Sequence, residues 1–214
     1  MANTQFTNSS EYLNDASIWG QGDPDTNEFL KNIPKPAGHW LDLAAGDGRY
    51  ANWLTSSAQQ VTVNDIDEKA LLALMRMANN SKRIATSVFD ASKRFPLLDN
   101  NFDGVFCTGF FHLFPPETFK SMVHEIFRVL KPGGQFIFDF GANVQRKKPD
   151  GTLVTFDDEF SYTLEESEKT IREALAQFEI IDMIKSNIYE DDRNIPELGY
   201  EFSCDFWIIR AKKV

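Results

Sequence analysis

The sequence is poor in the residues that bind metals or form disulfides. Its 214 residues include only two cysteines and three histidines. Cys107 and Cys204 each lie in an apolar run typical of a strand, where a buried thiol that packs as a small hydrophobic group is expected. The histidines are scattered and form no zinc-binding pattern, so we expect no metal site.

Positive charge and long apolar runs are also scarce. The chain has 22 Lys and Arg against 32 Asp and Glu, a formal net charge of -10. Binding to nucleic acid needs clustered basic residues, which are missing here, so a small or cationic substrate is the better expectation. The sequence contains no run of about 18 apolar residues, the length needed to span a bilayer. The polar N-terminal segment lacks the pattern of a signal peptide. We therefore expect a soluble, cytoplasmic protein; nothing in the sequence predicts its oligomeric state.

The most informative stretch is residues 39–51, which read HWLDLAAGDGRYA. An apolar run, small residues, two glycines and an amphipathic segment predict a strand, a tight turn and a helix beginning at Arg49. Such a turn brings backbone N–H groups close to a nucleotide-like ligand. Two cofactors remain possible at this point. Residues 46–51 satisfy the dinucleotide fingerprint G-x-G-x-x-A, with Asp65 placed for a ribose, whereas residues 42–48 present an acid followed by small residues and glycines.

Strand and helix patterns alternate through the following hundred residues. Strands are predicted at 61–67, 84–89, 102–108 and 135–140, with helices at 49–57, 68–79 and 116–130 between them. This alternation predicts a parallel sheet with helices on both faces. The remaining residues predict short strands at 152–162, a helix opened by a capping box at Thr163, and two strands at 178–188 and 202–210 separated by a polar loop.

Three of the predicted strands end in a carboxylate. These residues are Asp42, Asp65 and Asp90, and they fall at the sheet edge where open α/β sheets bind ligands. Three further segments follow in order: 89–91 (FDA), 95–105 (FPLLDNNFDGV) and 128–134 (RVLKPGG). Together with residues 42–48, they resemble the successive motifs of the class I S-adenosylmethionine-dependent methyltransferases. The resemblance covers residues 38–141, about half of the chain.

The resemblance implies a Rossmann-like three-layer α/β sandwich with a seven-stranded, mostly parallel sheet whose last strand is antiparallel. It implies S-adenosylmethionine as cofactor and S-adenosylhomocysteine as product. Residues 37–214 would form the methyltransferase domain, and residues 1–36 an extension with short helices that could cover the cleft.

Carried over by position, the resemblance also implies a set of cofactor-binding residues. Asp42, Gly46 and Gly48 would line the methionine end of the cofactor, and Ala44 stands in the first glycine position of the motif. Asp65 would bind the ribose hydroxyls and Asp90 the adenine amino group. Ile66 and Ala91 would flank the adenine ring, and Thr108 would lie near the transferred methyl.

The chemistry implied is methyl transfer to O, N or C of a small-molecule acceptor by in-line displacement, which needs few catalytic side chains. His112 is the best candidate for a general base, although a structural or capping role is a strong alternative for it. Phenylalanines around the predicted mouth favour an apolar, aromatic or cationic acceptor. Two alternatives remain: an NAD(P)-binding oxidoreductase, and a non-catalytic protein of the same fold that binds S-adenosylmethionine or a partner.

Overall fold

A computed structural model describes residue 17 and residues 22–78, 81–157, 159–190 and 199–214. No helix within these residues is long and apolar enough to cross a membrane. The helices are α1 (Pro24–Asn32), α2 (Ala51–Thr55), α3 (Glu68–Met77), α4 (Pro116–Val129) and α5 (Leu164–Ala174). The strands are β1 (His39–Asp42), β2 (Gln60–Asp65), β3 (Ile84–Val88), β4 (Phe102–Cys107), β5 (Leu130–Lys147), β6 (Phe178–Glu190) and β7 (Glu201–Lys213).

The seven strands form one sheet in the order β3-β2-β1-β4-β5-β7-β6. Strands β1 to β5 are parallel to their neighbours, and β7 runs antiparallel between β5 and β6. The predicted mostly parallel, seven-stranded sheet is therefore confirmed. The chain leaves β1 toward β2 and β3 and returns to β4 on the other side, so the carboxyl ends of β1 and β4 border a crevice.

Two apolar layers cover the faces of the sheet. Trp40 and Phe106 pack on one face with residues of α1, α2 and α3. Leu41 and Val105, their neighbours in sequence, pack on the other face with residues of α4 and α5. This alternation is the period of two expected for strands buried on both faces. The result is a three-layer sandwich.

Two helix starts predicted from the sequence are confirmed in detail: the capping box at Thr163, and a second start at Asp23 and Pro24, which read as a cap and first-turn proline of a short helix to about residue 33. The Asp23 side chain accepts a hydrogen bond from the Thr26 N–H, and Pro24 occupies the first turn of α1. At α5, the Thr163 side chain accepts from the Glu166 N–H while Glu166 accepts from the Thr163 N–H, which is a complete capping box.

Three sequence predictions need correction. The alternating segment 152–162 forms no strand among its described residues and contributes a single bridge, between Lys147 and Leu153. Helix α2 begins at Ala51 rather than at Arg49, because the turn continues through Tyr50, and it has five residues. Strand β5 continues to Lys147, beyond the predicted end at residue 140, because β7 is long enough to pair with its extension. Most of the predicted polar loop, residues 191–198, lies outside the described residues.

The loop between β3 and β4 is fixed to α4 by Arg128. Its guanidinium donates to the Phe95 and Leu97 carbonyls at 3.0 and 2.8 Å, and it pairs with Asp99 and Glu125, each at 2.6 Å. Glu125 also accepts from the Phe95 N–H at 2.9 Å. The planar fork of an arginine can reach all of these acceptors at once, and a lysine cannot. One role of the motif RVLKPGG is therefore structural, because its first residue, Arg128, holds this loop in place.

We predict that Arg128→Lys lowers the free energy of unfolding by about 2–3 kcal/mol, because carbonyl and carboxylate acceptors lose their donors. Arg172→Lys is the matched control, since Arg172 pairs with Glu168 on the exposed face of α5. It should change stability by less than about 0.5 kcal/mol. Urea denaturation of both variants measures the difference, and equal losses would contradict the anchoring role.

Candidate functional site

A cleft of about 480 Å³ opens at the carboxyl edge of the sheet. It is bordered by the turn after β1, by the ends of β2, β4 and β5, and by the segments that follow β3 and β4. Of the predicted site residues, nine line it: Asp42, Ala44, Gly46, Asp65, Ile66, Asp90, Ala91, Thr108 and His112. The sheet therefore brings together side chains that are up to 70 positions apart in the sequence (112 − 42).

The turn after β1 adopts the left-handed backbone conformation three times, at Ala44 (φ 53°), Gly46 (φ 55°) and Gly48 (φ 88°). A Cβ added at Gly46 would meet no atom within 4 Å, so this glycine leaves space in the cleft. A Cβ at Gly48 would lie 2.6 Å from Leu74. Gly48 does not line the cleft; it lets the turn pack against α3.

Asp42 ends β1 and is almost fully buried, with 4% of its surface exposed. Burial raises the pKa of Asp42 to about 8, and repulsion from Asp65 adds to this effect. Asp42 is therefore largely protonated at neutral pH in the protein alone. A cationic ligand bound beside it would favour the ionised form.

Asp65 connects the end of β2 to the turn after β1. One carboxylate oxygen accepts from the Gly46 N–H at 2.8 Å, and the other accepts from the Asp67 N–H at 3.0 Å. Burial raises the pKa of Asp65, while these two hydrogen bonds act to lower it. Each carboxylate oxygen has two lone pairs, so both can still accept from a ligand hydroxyl.

Asp90 follows β3, and its orientation is fixed by Ser92. One oxygen of Asp90 accepts from the Ser92 N–H at 2.9 Å and from the Ser92 hydroxyl at 2.6 Å. Ile66 and Ala91, the residues directly after Asp65 and Asp90, provide apolar surface in the same part of the cleft. Ile66 is 44% exposed and is therefore accessible to a ligand in the cleft.

His112 lies in the short 3-10 helix Phe111–Leu113, and its ring packs against Gly141. Its Nδ1 is buried and has no hydrogen-bond partner among the described residues. Burial lowers the pKa of His112 to about 4, with a smaller contribution from the positive charge of Arg146. The imidazole is therefore neutral at physiological pH and would be a weak base.

Three cleft residues were not predicted from the sequence. Asn64, fully buried in β2, donates to the Ser87 and Phe89 carbonyls, each at 3.0 Å, and its side-chain oxygen accepts from the Ala44 N–H at 3.4 Å. Arg146 pairs with Glu159 at 2.8 Å, with both side chains less than 10% exposed. Asp139 lies on β5 directly after Phe138, the last residue of β5 that pairs with β4. The available signals in the sequence were that Asn64 directly precedes Asp65 and that Asp139 is next to the end of the strand predicted at 135–140.

The fold and this cleft define a Rossmann-like α/β protein with a pocket suited to a nucleotide-like cofactor at the carboxyl ends of its parallel strands. Comparison with known proteins narrows this class. A family model described as a methyltransferase domain matches residues 41–138. The ubiquinone/menaquinone biosynthesis C-methyltransferase UbiE of Rickettsia felis is 28% identical over 148 residues, covering 64% of this chain and 59% of the relative.

Solved structures share the fold over most of the chain. An S-adenosylmethionine-dependent methyltransferase from Methanosarcina mazei matches with a TM-score of 0.65 at 20% identity, covering 90% of this chain and 98% of that one. The [4+2]-cyclase SpnF matches with a TM-score of 0.64 at 18% identity, covering 94% and 84%. This chain is therefore similar to S-adenosylmethionine-dependent methyltransferases, in sequence over residues 41–138 and in fold over most of its length. It spans about three fifths of the length of the curated relatives it matches.

We predict that Ala44→Gly stabilises the protein by up to about 1 kcal/mol. The left-handed conformation of Ala44 costs about 1–2 kcal/mol, and the greater backbone freedom of glycine in the unfolded chain offsets part of the gain. Ala45→Gly is the matched control, because Ala45 has a negative φ and should lose stability instead. Thermal unfolding of the two variants measures both changes. A loss of stability in Ala44→Gly would contradict the prediction that the backbone of Ala44 is strained.

We predict that Asp42→Asn raises the free energy of unfolding at pH 8 by at least about 2 kcal/mol. The folded-state pKa of Asp42, about 8, lies above its unfolded value. The protonated Asp42 therefore contributes fully to the stability of the folded protein below about pH 4, and this contribution is lost as pH rises through 8. The variant should therefore show a flatter decline of stability between about pH 5 and pH 8.

Urea denaturation without cofactor at both pH values measures this effect. Glu179→Gln, on an exposed carboxylate at the start of β6, is the control and should leave the pH dependence unchanged. An unchanged pH slope in Asp42→Asn would show that burial does not raise the pKa of Asp42.

Proposed function

We propose that this protein transfers a methyl group from S-adenosylmethionine to O, N or C of a small-molecule acceptor. The observation that carries the proposal is the convergence of Asp42, Asp65 and Asp90 from three successive strands on one cleft beside the glycine turn. The similarity to methyltransferases supports the choice of S-adenosylmethionine over a dinucleotide.

The cleft fits the cofactor. The open space at Gly46 admits a ligand close to the backbone, and the acids retain lone pairs for hydroxyl and amino groups. Asp65 would accept from the ribose hydroxyls and Asp90 from the adenine amino group, with Ile66 and Ala91 on the adenine ring. Asp42, Ala44 and Gly46 would border the methionine end, and Gly48 would act on that end only through the shape of the turn.

S-adenosylmethionine supplies an electrophilic methyl group when bound, so the protein has mainly to orient the acceptor and exclude water. Thr108 would lie beside the methyl group at the end of β4. The neutral His112 would offer a hydrogen-bonding nitrogen to the acceptor. Aromatic side chains that line the cleft, Phe110, Phe114, Phe202 and Phe206, would exclude water from it.

We also propose that residues 1–36 cover the cleft over the domain formed by residues 37–214. Contacts of the described part support this. The Ser17 hydroxyl donates to Asp47 at 2.7 Å, and the Asp23 N–H donates to the Tyr50 hydroxyl at 2.9 Å. Tyr12 and Trp19, the aromatic residues expected in this cover, lie outside the described residues. The cytoplasmic location and the lack of nucleic-acid and membrane partners stay predictions of the sequence.

We predict that Asp65→Ala and Asp90→Ala each weaken binding of S-adenosylhomocysteine by about 1.5–3 kcal/mol, or roughly tenfold to a hundredfold, because each removes a carboxylate that accepts a hydrogen bond. Glu179→Ala, at the opposite edge of the sheet, should leave the affinity unchanged. Calorimetric titration with S-adenosylhomocysteine, and in parallel with NAD and NADP, measures these effects.

The three ligands separate the alternatives. Binding of a nicotinamide cofactor alone would replace the proposal with an oxidoreductase. Binding of S-adenosylhomocysteine with unchanged affinity in both variants would mean that the acids do not contact the cofactor. S-adenosylhomocysteine binding with no methyl transfer to any acceptor would favour a non-catalytic binding protein.

A further inference from the structure

Asp139 lies in the half of the cleft that the proposed cofactor site does not use. It is on β5, which is separated by β4 from the three strands that carry Asp42, Asp65 and Asp90. One carboxylate oxygen accepts from the Gly109 N–H at 2.6 Å. Within the part of the chain that the structure describes, this is its one hydrogen bond, and it has no ion-pair partner there. A carboxylate enclosed in a cleft with so few partners is costly unless a ligand supplies the missing ones.

The charges around Asp139 leave it able to attract a cation. Burial raises the pKa of Asp139 to about 6, while the Gly109 N–H and the nearby Arg49 act to lower it and Asp23 acts to raise it. The neutral Tyr50 hydroxyl and the neutral His112 also face this region. Asp42 and Asp65 lie on the other side of β4. Burial is the largest cause of the raised pKa of the Cys107 thiol, and the charges of Asp139, Asp42 and Asp65 all add to it, so these two acids are near the same thiol as Asp139. At neutral pH Asp139 is therefore mostly ionised.

Apolar and aromatic side chains lie on the face of the sheet that Asp139 shares. Phe206 belongs to the apolar layer on that face and pairs with Gly141, two residues beyond Asp139 on β5, and Ile188 and Phe202 pack against the same layer and line the cleft. The positive charge of Arg146 is already balanced by Glu159 at 2.8 Å, and its guanidinium lies 4.9 Å from the Phe156 ring. Arg146 is thus poorly placed to bind an anionic ligand. Aromatic rings next to a carboxylate favour a cation with an apolar body.

We propose that Asp139 binds a protonated nitrogen of the methyl acceptor, so that the acceptor is a small amine with an apolar or aromatic body. This rests on the proposed function, because it assigns the second half of the same cleft to the acceptor. Asp139 then determines specificity, and the neutral Tyr50 hydroxyl and His112 ring near it can orient the amine, while the nearby Arg49 makes no ion pair with Asp139 among the described residues. The net charge of -10 on the chain would assist the approach of such a cation.

The test compares three probes that share one ring and differ in charge: phenethylamine, 2-phenylethanol and 3-phenylpropionate. Each is titrated into protein saturated with S-adenosylhomocysteine, and binding is followed by ligand-observed NMR. We expect the amine to bind at least about tenfold more tightly than the alcohol, and the carboxylate to bind most weakly. Tighter binding of the carboxylate, or no binding of any probe up to its solubility limit, would overturn the proposal.

Asp139→Asn and Asp205→Asn separate the role of Asp139 from a general loss of negative charge. Asparagine can still accept from the Gly109 N–H, so the first variant keeps that contact. Asp205, on the neighbouring β7, does not line the cleft, and asparagine there can keep the 2.7 Å contact with Asn143. We expect Asp139→Asn to remove the preference for the amine and Asp205→Asn to retain it. Retention in both variants would overturn the proposal.

The pH dependence of probe binding gives an independent readout. The affinity for phenethylamine should fall as pH decreases through about 6, since Asp139 becomes protonated while the amine stays charged. This fall should be absent in Asp139→Asn, and its persistence there would assign the effect to another group.

Binding of S-adenosylhomocysteine without any probe is measured first. Its absence would refute the proposed function, whereas its presence with no preference for the amine would refute only the role of Asp139. If Asp139→Asn weakens S-adenosylhomocysteine binding as much as it weakens amine binding, the carboxylate belongs to the cofactor site and the proposal is wrong.

Discussion

The hydrogen bonds of Asn64 are the constraint on which the cleft depends. This fully buried side chain lies in β2, between the turn after β1 and the end of β3. It donates to the Ser87 and Phe89 carbonyls and accepts from the Ala44 N–H, while the Asn64 carbonyl accepts from the Ala45 N–H at 2.8 Å. One residue thus fixes three strand ends relative to one another, and a buried amide has few other ways to satisfy its donors and acceptor.

The buried carboxylates of the cleft lower the stability of the folded protein. The pKa values of Asp42, Asp65 and Asp139 are all raised, with burial as the largest cause in each case. A cavity filled with apolar side chains would be more stable, so such a concentration of buried carboxylates is expected where a ligand provides compensating donors or positive charge. Below the cleft, the rings of Phe111, Phe119 and Phe138 contact one another. This packed aromatic core supports the strands that carry the carboxylates.

The shared fold does not fix the chemistry. Among the solved structures that match this chain, one is a methyltransferase and another is a [4+2]-cyclase, and both have similar TM-scores. The half of the cleft proposed for the cofactor, built on β1, β2 and β3, carries motifs that resemble those of the methyltransferases. The half proposed for the acceptor is built on β5, β7 and the segment after β4, where chains of the same fold can differ without loss of the sheet. Residues such as Asp139 therefore say more about the acceptor than the glycine turn does.

The sequence by itself determined the alternation of strands and helices, the glycine turn and the three acids at strand ends, because these are local patterns with fixed periods and positions. It also predicted the helix caps at Asp23 and Thr163. It could not predict that the described residues of 152–162 form no strand, because alternation of apolar residues arises equally in a segment that packs irregularly against a neighbour.

Only the tertiary structure decided which polar groups meet. It separated Gly46, which opens into the cleft, from Gly48, which packs on Leu74, although the two look equivalent in the sequence. It paired Arg146 with Glu159 and left Asp139 with a single donor among the described residues. The burial, pKa and hydrogen-bond partners of a side chain depend on atoms from distant parts of the chain. Local sequence patterns do not predict which distant residues will meet.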